Sequence, residues 1–112
     1  MFIMKSANIT DITLPDPVTF TVKATSDADT PITYTWYHYE EDSPCENKWC
    51  TVYNVANKTH ITHNNGSSLA ILKTEPSDLG EYRCVASNGV SEDVFTVLLR
   101  APDYRLYIYY SY

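Results

Sequence analysis

The chain has 112 residues, 44% of them hydrophobic, enough for one core and too few for two. Its formal net charge of −6, with eight scattered Lys and Arg residues, argues against a nucleic-acid, heparin or anionic-lipid surface. No apolar run approaches the roughly 18 residues of a membrane span, and ten tyrosines with frequent Thr and Val give the composition of strands.

In chain order, Met1-Phe2-Ile3-Met4 is too short for a signal peptide, and residues 1–7 read as an N-terminal extension. Ile9, Ile12 and Leu14 alternate imperfectly over 8–14, as in an edge strand, before Pro15 and Pro17 interrupt the ladder. Alternation is clean from Val18 to Ala24, with Val18, Phe20, Val22 and Ala24 on one face. Residues 26–31 form a turn by composition, and Ile32, Tyr34, Trp36 and His38 share one face of the next strand. An acidic loop over 40–47 holds Cys45, and a short strand is expected over 48–55. Residues 57–64 read as a polar connection. Asn65-Gly66 is a hairpin-turn dipeptide leading to a strand over 68–73, with Leu69 inward. Strands over 80–87 and 92–100 flank a second turn, Asn88-Gly89. Ala101-Pro102 reads as an exit linker, and residues 101–112 as a linker with a Tyr-rich tail.

The most specific stretch is Asp78-Leu79-Gly80-Glu81-Tyr82-Arg83-Cys84. Gly80 permits a tight corner, and Tyr82 and Cys84 then point to one face of the following strand. This Asp-x-Gly-x-Tyr-x-Cys run resembles the strand-F motif of the immunoglobulin superfamily, in which the Tyr forms a corner and the Cys bonds to strand B. With Tyr34-Thr35-Trp36-Tyr37 and Ser68-Leu69-Ala70-Ile71-Leu72, it makes residues 8–100 similar to an I-set or C2-type domain. Val97 to Pro102 resembles the end of such a domain before a fibronectin type III repeat, as in adhesion molecules of the contactin and neuroglian type. The resemblance implies an all-β, immunoglobulin-like antiparallel sandwich with Greek-key topology. It makes Val22, Trp36, Leu69, Asp78, Gly80, Tyr82 and Cys84 the core signature. Because the strand-B position reads Val22, the expected sandwich lacks the inter-sheet B–F disulfide.

Two cysteine arrangements are open. Cys45 and Cys50, five apart around a loop, can form a local bond that leaves Cys84 a buried thiol; a long bridge from Cys84 is the other. We favour the first, since Cys84 points toward Val22. A zinc site from Cys45, Cys50, His60 and His63 has the wrong spacings, and Asp27 and Asp29 resemble a cadherin calcium pair without its remaining ligands. No cofactor is expected. The serines sit in turns, Cys84 is predicted to be buried, and Glu40, Glu41 and Asp42 form a solvated run of one sign, so the chain does not read as an enzyme. Three sequons, at Asn8, Asn57 and Asn65, point to a glycosylated extracellular or cell-surface protein. If Trp36 faces inward, Tyr37 and Tyr39 face outward near Trp49 and Tyr53, a candidate contact patch. The expected partner is another cell-surface or secreted protein, homophilic or heterophilic, with neighbouring immunoglobulin or fibronectin type III domains and neither nucleic acid nor inserted membrane. A structural spacer in a domain array is the alternative.

Overall fold

The strict alternation of Val18–Ala24 is realised as a strand whose Val18, Phe20, Val22 and Ala24 side chains are all buried. It lies within a computed structural model that describes residues 2–5 by their backbone, and residues 8–25, 31–62 and 65–102 in full. The described residues form nine strands: β1 (Phe2–Lys5), β2 (Ile9–Asp11), β3 (Val18–Ala24), β4 (Thr33–Tyr39), β5 (Trp49–Thr51), β6 (Thr59–Thr62), β7 (Ser68–Ile71), β8 (Gly80–Ser87) and β9 (Glu92–Arg100). Short 3-10 turns at Glu46–Lys48 and Pro76–Asp78 precede β5 and β8. The strands make two sheets, ordered β1-β3-β7-β6 and β2-β9-β8-β4-β5. The hairpins β4–β5, β6–β7 and β8–β9 stay within one sheet, and the connections between them cross to the other.

The two inner faces meet around Trp36, which is wholly buried together with Phe20, Leu69, Cys84 and Val97. Phe20 lies 5.3 Å from the Tyr82 ring and 6.3 Å from that of Trp36. Burying an indole requires a partner for its N–H, and Trp36 Nε1 donates to the Gly66 carbonyl at 2.7 Å. At the corner into β8, the Tyr82 hydroxyl donates to the Asp78 carbonyl at 2.5 Å. Gly80 there adopts φ +117, a conformation that a β-carbon would strain.

The expected fold class needs correction. The all-β sandwich is present, but it is not antiparallel throughout. β2 runs parallel to β9, with Ile9 opposite Leu98 and Asp11 opposite Arg100. An edge strand arriving from the other sheet meets β9 in whichever direction the intervening bend sets. Nor is a missing disulfide the right description of the cysteines: the chain carries a bond between Cys45 and Cys50, and Cys84 is the one other cysteine.

Several boundaries also move. Residues 2–5 are not an extension: β1 pairs antiparallel with β3 and completes one sheet edge. The strand expected over 8–14 is only β2, and the one over 48–55 shrinks to β5 with an isolated bridge from Val55 to Thr59. β6 falls inside the expected polar connection, and β7 stops at Ile71. The 26–30 segment of the expected turn, with Asp27 and Asp29, lies outside the described residues, as do His63 and the tail from residue 103.

Candidate functional site

Alternation along β4 and β8 decides which side chains leave the core. Trp36 and His38 point inward, so Tyr37 and Tyr39 point outward; Tyr82 and Cys84 point inward, so Arg83 and Val85 point outward. The registers align these outward residues into rows. Tyr37 sits opposite Arg83 on one side and Thr51 on the other, Tyr39 opposite Trp49, and Val85 opposite Val94.

The outcome is an aromatic group on the outer face of the five-stranded sheet. Trp49 meets the Tyr39 ring edge-on at 5.3 Å between centroids, and the Arg83 guanidinium lies 4.1 Å above its own ring. Such a cation–π contact holds a flat, rigid surface in place. Tyr37, Glu46, Asn47, Trp49, Arg83, Val85 and Glu92 line a shallow hollow of about 260 Å³ there. Arg83 Nε is shut off from water and has no hydrogen-bond acceptor among the described residues. Val94, half exposed, extends the apolar surface beside Val85. Tyr39 donates its hydroxyl to Glu41 at 2.9 Å, which with that carboxylate's charge raises the phenol pKa.

Neither cysteine lines this hollow, but the Cys45–Cys50 disulfide, whose Cα atoms are 5.3 Å apart, spans the turn that carries Glu46 and Asn47 to it. It closes the turn in which Asn47 and Lys48 both take positive φ values, 53° and 70°. With these two sulfurs joined and His60 exposed, the zinc constellation does not assemble, and no cluster of three metal-ligating side chains occurs among the described residues.

Tyr53 does not join the patch and needs correction. β5 ends at Thr51, so the chain has left the sheet by Tyr53, which is 71% exposed and lines a different hollow of about 290 Å³ at the open side between the sheets. His38 and Tyr82 line its inner wall, their rings stacked at 4.3 Å, and His38 Nε2 lies 3.0 Å from the Leu79 carbonyl. Lys58 closes one end as a clasp, paired with Asp78 and with Glu75 at 3.3 Å, and donating to the Lys73 carbonyl at 2.9 Å. Burial opposes the charge on Lys58, and the bonds to Asp78 and Glu75 outweigh it to raise the pKa. These groups satisfy one another and seal the sandwich edge.

Cys84 is buried and carries a free thiol, its pKa pushed up to about 12 by burial. Asn8, Asn57 and Asn65 are all exposed. Asn8 leads into edge strand β2, Asn57 occupies the turn before β6, and Asn65 the turn before β7; none lines the outer hollow. Sequence reasoning passed over Arg83, Val85, Glu46 and Glu92 at that hollow. The alternation around Tyr82 and Cys84 marks Arg83 and Val85 as outward. The β8–β9 register joins them to Glu92, and the turn before β5 brings Glu46 to the same hollow.

The immunoglobulin domain family model matches residues 3–88. The chain belongs to the immunoglobulin domain family. Solved immunoglobulin domains resemble it over most of its length. The N-terminal four Ig domains of Dscam1 isoform 1.9 match with a TM-score of 0.62 and 17% identity, covering 84% of this chain and 22% of that one. Titin domain M7 gives 0.69 and 20%, covering 88% of this chain and 89% of that one. Neural ectodermal development factor IMP-L2 gives 0.63 and 17%, covering 84% and 39%. At these identities the likeness is one of fold. The chain spans 22% and 25% of the first two Dscam chains it matches. No curated protein matches the sequence.

Proposed function

We propose that this immunoglobulin domain is a non-catalytic, extracellular protein-binding module, of I-set type, that uses the outer face of its β2-β9-β8-β4-β5 sheet. The observation carrying the reading is Trp49, held between the Tyr39 ring and the Arg83 guanidinium beside Tyr37, in a hollow to which a disulfide-closed turn brings Glu46 and Asn47. Tyr, Trp and Arg contribute most to binding where they are held rigid before the partner arrives. An extracellular setting is supported by that disulfide and by three exposed sequons. The I-set assignment is supported by strand order: the sheets add to the constant-type arrangement a split first strand, β1 and β2, and one short extra edge, β5. The likeness to Dscam, a cell adhesion molecule, is compatible with a cell-surface partner, and Ala101-Pro102 with an exit toward a further domain.

The test is a binding screen of the secreted chain against a panel of cell-surface proteins. Trp49→Ala and Tyr37→Ala variants with unchanged thermal unfolding are run alongside. Binding that these variants lose, by about tenfold or more, supports the reading. Binding that both variants keep moves the site elsewhere, and silence across the panel favours the array-spacer role.

A further inference from the structure

The chain contains two Asn-Gly dipeptides, Asn65-Gly66 and Asn88-Gly89, and the fold treats them differently. Such a pair can react with itself. The glycine nitrogen, unhindered by a β-carbon, attacks Cγ of the asparagine side chain. The N–Cγ bond forms, the Cγ–Nδ2 bond breaks, and ammonia leaves with the glycine's proton. Water then opens the cyclic imide at one of its two carbonyls, giving aspartate or isoaspartate. Asparagine is thermolabile for this reason wherever its side chain and the next peptide are free to turn toward each other.

In the β8–β9 turn both reacting groups are held. Asn88 is 9% exposed, and its Oδ1 accepts from the Val90 and Ser91 N–H groups at 2.9 and 2.8 Å. The nucleophile, Gly89 N, donates to Ser87 Oγ at 3.1 Å. In the β6–β7 turn Asn65 is exposed, and Nδ2 donates to the Ile32 carbonyl at 3.2 Å. That bond faces water and holds only the group that leaves. Asn65 has a φ of 62°, which must relax for the attack, so the reaction needs local opening of one turn rather than unfolding.

The same turn anchors the core. The carbonyls of Asn65, Gly66 and Ser67 accept from Tyr34 N at 3.3 Å, Trp36 Nε1 at 2.7 Å and Val22 N at 3.0 Å. Isoaspartate at position 65 lengthens the main chain by one methylene immediately before Gly66. Packing there is tight: a β-carbon on Gly66 would already lie 3.1 Å from Ile61 Cγ2. Asn65 is also the acceptor of an Asn-Gly-Ser sequon. A sugar on Nδ2 turns the leaving group from ammonia into a bulky glycosylamine and crowds Cγ.

We propose that Asn65 is a modification site with two competing fates. Unglycosylated, it deamidates to isoaspartate and loosens the turn that satisfies Trp36; glycosylated, it is protected. The protection rests on the extracellular reading, whereas the reaction does not.

The full chain, made with its disulfide in a host that adds no glycans, is aged in mildly alkaline buffer while peptide mass spectrometry follows both asparagines. Asn65 deamidates about tenfold or more faster than Asn88 in the native chain, and the two rates converge in concentrated denaturant. Equal native rates, or a faster one at Asn88, overturn the proposal. The fraction carrying isoaspartate at 65 unfolds at lower denaturant, and its Trp36 indole N–H exchanges faster with solvent. Asn65→Asp, which keeps the main-chain length, unfolds close to wild type. An isoaspartate fraction as stable as its parent overturns the link to Trp36. The chain secreted with Asn65 glycosylated forms no isoaspartate there over the same period, and an unchanged rate overturns the protection. Occupancy at Asn8 or Asn57 with none at Asn65 overturns it as well, and leaves the extracellular reading in place.

Discussion

Cys84 shows how one residue type can hold the same position for a different physical reason. In the strand-F motif the cysteine bonds across the sandwich, whereas here it is a free thiol in the cluster with Val22, Trp36 and Leu69. Burial favours its neutral form, so the folded-state pKa rises from 9.0 to about 12. The folded chain therefore holds this proton more tightly than the unfolded one. The resulting stability is fully present below about pH 9 and is lost as pH climbs through about 12. The Tyr82 phenol, raised first by burial and then by Asp78 and Glu40, adds in the same direction at still higher pH. Denaturant unfolding from pH 8 to 11 reads this as a decline in stability that steepens beyond pH 9. Cys84→Ala flattens part of the decline and leaves the part due to Tyr82; an identical slope in the variant contradicts the assignment. At pH 8, a disulfide reagent labels the native thiol no faster than the chain unfolds.

Individual elements were legible in the sequence to the extent that their side-chain pattern was one-sided. β3, β4, β8 and β9 alternate over seven residues or more with one apolar face, and their positions follow from that alone. β6 gives almost no such signal: Thr59-His60-Ile61-Thr62 contains one hydrophobe, and its edge position leaves half of it in water. β1 is too short to have a period and is recognisable only through its pairing with β3. β2 is parallel to a strand far along the chain, which no local pattern encodes.

Turns are where chemistry and element meet. Gly66 sits at φ +97 between β6 and β7, and an added β-carbon would lie 3.1 Å from Ile61 Cγ2 and 3.2 Å from the Tyr34 carbonyl oxygen. Its own carbonyl accepts the Trp36 N–H, so a shift there disturbs the core. Gly89, at φ +87, has nothing among the described residues within 4 Å of the same position. Gly66→Ala should cost about 2–4 kcal/mol and Gly89→Ala about 1 kcal/mol, the difference being the lost space rather than the backbone angle. Chemical denaturation of the two variants measures it, and equal costs would refute the packing argument. The disulfide is a second turn device. Its loop is short, so chain entropy alone gives about 2 kcal/mol. Replacing Cys45 and Cys50 together by Ala should lower stability by no more than about that amount. Hydrogen exchange in the double variant should quicken around residues 45–51, whereas protection around Trp36 drops only by the global change.

At the scale of the whole molecule, the question is which surface is left open. The aromatic residues of the patch could be read from the sequence because Trp36 fixes the phase of β4, but Tyr53 could not be placed without knowing that β5 ends at Thr51. The sequons lie at the margins. Asn8 is on the β2 edge, four strands across from β5, and Asn57 and Asn65 flank β6 in the other sheet. Glycans at those sites leave the outer hollow uncovered, so enzymatic deglycosylation should leave partner binding unchanged. The same logic can be reversed on the face itself. Val85 lines the hollow, points to solvent between Thr35 and Val94, and is followed by Ala86 and Ser87. Val85→Asn therefore creates an acceptor site, Asn-Ala-Ser, without altering any other residue. Secreted from a glycosylating host, this variant carries a sugar chain over Tyr37, Trp49 and Arg83, and it should lose partner binding. Enzymatic removal of the glycan should restore most of that binding, because the substitution alone deletes only a half-buried valine. Mass spectrometry establishes occupancy at position 85. Full association with that site occupied would show that contact is made through another surface of the sandwich.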